Sequence, residues 1–182
     1  MKSNKKLNAK DIIITRTKLD NKIKNYWAII KSENVMSKKA IATGIGSGYD
    51  LKVIHNQILQ MIEQRIKLKG MLQSLNMGIT TFKYDDFKKT HYYTIFKAGE
   101  LKEQKTKWGE IIKKCINPTE KSKKGLKGTG KREIFSSAKI TSIMNNLQLE
   151  INKYDAKIIK FNEETAIEAD FDEEEAKMLL AA

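Results

Sequence analysis

The octapeptide GLKGTGKR, Gly125–Arg132, matches G-x-x-x-x-G-K-[ST] at every fixed position but the last. In that motif the glycines let backbone N–H groups converge on phosphates, and the lysine reaches the outer phosphate groups. The chemistry would be nucleoside triphosphate binding. It needs a hydrophobic strand ahead of the loop, a Ser or Thr after the lysine to hold Mg²⁺, and a helix N-terminus behind the phosphates. Here NPTEKSKK precedes the loop, Arg132 stands at the Mg²⁺-ligand position, and EIFSSAKI reads as an extended segment. The stretch is therefore read as a Lys/Gly loop over 119–132. Its cations, Lys121, Lys123, Lys124, Lys127, Lys131 and Arg132, are expected to contact a polyanion, as basic loops contact phosphate backbones.

No other constellation offers chemistry. Gly44, Gly46 and Gly48 lack the strand and the glycine spacing of a dinucleotide fingerprint. His55 and His91 have no acid and cysteine at ligand spacing, so no metal site is expected. Cys115 is the single cysteine, which leaves no intramolecular disulfide. Nothing assembles a nucleophile, a base and an oxyanion donor. The expectation is a protein that is not an enzyme, with no catalytic residue and no cofactor.

Charge points to partners instead. The chain has 182 residues and a formal net charge of +13. Eight acids and one base follow residue 162, so that stretch carries −7 and residues 1–162 carry +20. A basic body with an acidic tail fits a polyanion, its own tail or a neighbour's. The cations are nearly all lysine, with arginine only at Arg16, Arg65 and Arg132. Arginine is the better residue for bidentate phosphate and base contacts, which weighs against sequence-reading of nucleic acid.

The elements that carry these residues read as helices. Asn8–Ser32 places Ile12, Leu19, Ile23, Tyr26 and Ile30 on one stripe, with Arg16 in its remaining slot. From Leu51 to Leu75 the residues Leu51, Ile54, Ile58, Met61, Arg65, Leu68, Leu72 and Leu75 alternate three and four apart, with one charge in the seam. Asp50 or Ser47 would cap this helix, and Met77-Gly78 would end it. A third helix is expected from Asp85 or Asp86 to Ile116, anchored by Phe87, Ile95, Phe96, Leu101, Trp108, Ile111, Ile112 and Cys115. Thr141 would cap the last helix, where Met144, Leu147, Ile151, Tyr154, Ile158, Phe161 and Thr165 repeat the same spacing. The two seams are of similar length and complement each other. Lys69 and Lys153 fall on the outer faces. Pro118 is the only proline, so no other breaker interrupts these helices.

The segment REIFSSAKITSIMNNLQLEINKYDAKIIKFNEETAI, Arg132–Ile167, resembles the closing region of the septicolysin-like family of bacterial and phage-encoded helical proteins. There an E-I segment leads into a helix ending in a pattern like L-D-x-K-I-x-x-x-N-W-x-T. Tyr154-Asp155-Ala156-Lys157-Ile158, Asn162 and Thr165 fall in step, with Tyr for the Leu and Glu163 for the Trp. Arg16, Leu19, Lys22 and Ile23 are similar to the family's R-x-x-L-x-x-K-I, and Leu75-Asn76 to its I-N. The resemblance implies a bundle of long helical hairpins that self-associates, and it implies no activity.

The resulting expectation is an all-α chain of long antiparallel helical hairpins, a helix bundle with coiled-coil-like seams and at most one short β element. Residues 1–167 would form the bundle and 168–182 an acidic tail. Leu68, Leu72, Ile151, Tyr154 and Ile158 would form the core or oligomer seam. The function expected is a self-assembling helical structural protein of the kind found in bacteriophage virions, with copies of itself or neighbouring structural proteins as partners. The alternative is a nucleic-acid-binding accessory protein using the basic body and the loop. No run is long and apolar enough to span a membrane and no signal-peptide stretch opens the chain, so the bacterial cytoplasm or a virion is the expected location.

Overall fold

The computed structural model describes residues 6–37, 50–116, 131–166 and Met178. Helix α1 spans Ala9–Glu33 and opens with a capping box. Asn8 Oδ1 accepts from the Asp11 N–H at 2.9 Å, and the Asn8 N–H donates to the Asp11 carboxylate. Strand β1, Val35–Ser37, follows. Helix α2 spans Leu51–Asn76, and Asp50 accepts from the N–H groups of Lys52 and Val53. It ends where Gly78 turns left-handed at φ 74°. The Gly78 N–H then bonds the Leu75 carbonyl and the Ile79 N–H the Ser74 carbonyl, which helps satisfy the acceptors at the helix end.

The expected third helix is broken. A short α3, Tyr84–Phe87, is separated from α4, His91–Ile116. Thr90 makes the break. Its hydroxyl donates to the Phe87 carbonyl at 2.7 Å and accepts from the Tyr93 N–H, so it closes one helix and caps the next. Strand β2, Lys131–Glu133, pairs antiparallel with β1, setting Val35 opposite Glu133 and Ser37 opposite Lys131. This single ribbon is the short β element expected. The residues after it are not extended to Ile140. Helix α5 spans Ser137–Glu164, and Ser136 rather than Thr141 caps it, accepting from the Lys139 N–H.

The chain is an all-α bundle of two antiparallel hairpins, α1 with α2 and α4 with α5. Asp20 meets Arg65 and Trp27 meets His55 across the first hairpin. Lys102 meets Asp155 and His91 meets Phe161 across the second. Helix α4 joins the two, because it also touches α1 and α2. Each seam therefore packs on its own hairpin partner, and the two seams do not complement each other. The core gathers Ile23, Trp27, Ile30, Leu51, Ile58, Ile66, Trp108, Ile111 and Phe135 into one cluster. Ile95, expected as an anchor of α4, is exposed. The glycine-rich connector 38–49, loop residues 117–130 and most of the acidic tail lie outside the described residues.

Candidate functional site

The seam residues separate by depth. Leu68 and Ile151 are buried, while Leu72, Tyr154 and Ile158 are half-buried and Phe161 and Thr165 are exposed. Helix α5 buries only Ile140 and Ile151 along its described length, against ten residues on α2. Among the described residues its only extensive partner is α4. Of the expected polyanion contacts, Lys121, Lys123, Lys124 and Lys127 lie outside the described residues. Lys131 and Arg132 belong to β2, opposite Ser37 and Met36. In the phosphate-binding motif these two positions would open a helix.

Arg65, the one charge in the α2 seam, meets a cluster of acids drawn from α1 and α4. It is 7% exposed, and its guanidinium bonds Glu100, Asp20 and Glu103. Glu100 is 1% exposed and also accepts from Lys69 Nζ at 2.8 Å. Burial alone would favour a neutral guanidine. The hydrogen bond and charge of Glu100, with Asp20 and Glu103, outweigh it and hold Arg65 more firmly protonated than usual. Lys69, placed on the outer face by its spacing, thus reaches inward. A cleft of about 420 Å³ opens beside the cluster, floored by Trp27 and Ile111 and rimmed by Lys24, Lys31, Lys107 and Glu110. Its rim mixes both signs, so it selects no simple ion.

His55 lies in an aromatic box. Its ring is edge-on to Trp108 at 5.1 Å and to Phe135 at 5.9 Å, and tilted against Trp27 at 6.0 Å. Burial pushes its pKa down from the ordinary value. The indole N–H of Trp108 is buried without a hydrogen-bond partner. The box packs the two hairpins together at the end where both strands lie.

At the opposite end, apolar side chains are exposed among the described residues. Met77, Ile79 and Tyr92 are exposed and line one cleft of about 320 Å³ together with Phe82 and Phe87. Exposed Phe161 stacks on His91 beside them, ring centroids 3.8 Å apart. Beneath this end, burial pushes the Tyr84 hydroxyl up, helped by Glu63, to which it donates a hydrogen bond. On α5, Lys139, Lys153 and Lys157 are exposed and pair with no carboxylate among the described residues.

Among the described residues no group of three His, Cys, Asp or Glu side chains could hold a metal ion, and no helix is long and apolar enough to cross a membrane. The fold and its surfaces define a helical bundle of two hairpins with an apolar end and a lysine-rich outer face. No protein-family model, curated protein or solved structure matches the chain.

Proposed function

We propose that the chain is a non-enzymatic structural module that assembles with copies of itself. What supports this reading is the apolar end of the bundle. Met77, Ile79, Tyr92 and Phe161 stand together in water instead of scattering singly, and contiguous apolar surface of this kind is the mark of a docking face. On sequence grounds alone we assign the module to the bacterial cytoplasm or a virion. Light scattering after size exclusion tests it. The expected mass is that of two or more chains at micromolar concentration. A single-chain mass at every concentration overturns it.

A second reading, binding of a nucleic-acid backbone, draws on Lys139, Lys153 and Lys157 without carboxylate partners among the described residues. It requires affinity for mixed-sequence DNA that falls steeply with salt, with a logarithmic slope of about −0.9 per phosphate contact. Salt-independent or undetectable binding removes it.

A further inference from the structure

The apolar end of the bundle carries a second, larger groove. Leu7, Met71, Leu75, Ile79 and Phe82 wall it, Lys6 stands at its rim, and its volume is about 580 Å³. Ile79 and Phe82 are shared with the smaller cleft, so the two form one trough that runs to Tyr92, and Lys83 and Asp86 both line its smaller part. Among the described residues no carboxylate lines the larger groove. The groove is thus apolar with a positive rim. Its ligand should carry apolar side chains and negative charge.

The chain itself carries such a segment, and it leaves from this end. Phe161 of α5 stacks on His91, and Tyr92 lines the smaller cleft, so Thr165 and Ala166 depart beside the trough. In the following sequence, IEADFDEEEAKMLLAA, Ile167, Phe171 and Met178 stand four and seven residues apart. That spacing places all three on one face of a helix. Six acids and one lysine surround them. Met178 is 67% exposed, so its own bundle does not cover it. Even as a helix, residues 167–182 extend about 24 Å beyond Ala166, enough to present Phe171 and Met178 to a neighbour.

We propose that the acidic amphipathic segment 167–182 of one copy docks in the larger apolar groove, with Lys6 at its rim, of a second copy. This rests on the self-association reading and specifies its contact. Groove and segment are different surfaces of one chain, so two copies either exchange segments reciprocally about a two-fold axis or, docked one way only, extend head to tail into rings or filaments. The charge component is screened by salt, while the apolar anchors Phe171 and Met178 persist.

Two variants of the full chain test it, Phe171→Glu in the segment and Ile79→Glu in the groove. Ile79 is exposed, so its change leaves the core intact, and circular dichroism with a thermal melt checks that both variants fold. Each variant alone is expected to weaken association at least tenfold by concentration-dependent light scattering. An equimolar mixture is expected to regain a two-chain species, because it holds one intact segment and one intact groove. If the native chain associates and both variants associate equally well, the docking is wrong and self-association stands. If both variants are monomeric and their mixture stays monomeric, the pairing of segment with groove is also wrong. A native chain that is monomeric throughout overturns this inference and the self-association reading together.

Discussion

The carboxamide of Asn34 and the backbone of Phe135 exchange two hydrogen bonds across the molecule. Asn34 Nδ2 donates to the Phe135 carbonyl at 3.0 Å, and the Phe135 N–H donates to Asn34 Oδ1 at 2.7 Å. The Ile134 N–H adds a bond to the Asn34 carbonyl at 3.3 Å. A side-chain amide here imitates a strand. It fastens the end of α1 to the residues that lead into α5, and so ties the first hairpin to the second. Asn34 is 1% exposed, so water cannot replace what it supplies.

Replacing Asn34 by Ala should therefore strand the amide and carbonyl of Phe135. Each buried polar group left unpaired costs about 1–3 kcal/mol. A total of about 2–4 kcal/mol lowers the melting temperature by roughly 5–15 °C in a chain of this size. Asn145→Ala, on the exposed face of α5, should change it by no more than a degree or two. Equal melts for the two variants would mean that the Asn34 bridge contributes nothing.

The Arg65 cluster should show strong coupling. Arg65→Met leaves Glu100 buried with Lys69 alone, and Glu100→Leu leaves Arg65 facing Asp20 and Glu103. Breaking a buried pair from one side costs about 3–5 kcal/mol, whereas replacing both members by apolar residues is often close to neutral. Urea unfolding of Arg65→Met/Glu100→Leu should show a loss smaller than the sum of the single losses by more than about 1 kcal/mol. Strict additivity would contradict the coupling.

Gly70 lies against the ring of Phe87. A Cβ at this position would stand 2.6 Å from two ring carbons, far inside contact distance. The ring cannot easily retreat, because Phe82, Tyr84, Tyr93 and Phe96 surround it. Alanine in a helix interior is favoured over glycine by about 1 kcal/mol. Overpacking typically costs about 1–3 kcal/mol, so the clash should win or at best balance. Gly70→Ala should lower the unfolding midpoint. Gly99→Ala, where nothing stands near the added carbon, should raise it. The reverse order would show that α3 gives way freely.

Much of the fold is legible locally. The cap residues Asn8 and Asp50, the spacing of Leu51 to Leu75 and the stop at Gly78 each act within a few residues, so their pattern survives in one dimension. The misreadings have a common physical origin. No spacing singles out Trp27, Glu100 or Asn34: the first two owe their burial to other helices and Asn34 to the Ile134–Phe135 segment, and no period in the chain encodes which partner arrives. Lys69 sits on the outer flank of its own helix but finds Glu100 of α4 within reach. Thr90 interrupts a helix where both its hydroxyl and its backbone N–H bond the Phe87 carbonyl. Thr141 and Ser136 are both capping residue types, and the β ribbon that ends at Glu133 decides between them. The apolar end is equally a product of assembly. Met77, Ile79 and Tyr92 meet only after the hairpins are docked.

The last expectation concerns pH. His55 packs among Trp27, Trp108 and Phe135, and Lys52 and Lys139 line the cleft beside it. Burial depresses its pKa in the folded chain. Its ordinary value, near 6.5, applies when unfolded. The unfolded chain thus takes up the proton first as pH falls, and stability declines wherever the unfolded state binds more protons. The contribution of His55 is fully present above pH of about 7. It fades as pH drops through about 6.5, and levels off only below the depressed folded value. The carboxylates Glu63 and Glu110 have lowered pKa values too, but they titrate in a more acidic window. Melting temperatures of the native chain should therefore fall between pH 7.5 and 5.5, and His55→Phe should remove most of that slope while keeping an aromatic ring in the box. The same slope in both proteins would assign the pH dependence to other groups and show that the imidazole is protonated without penalty.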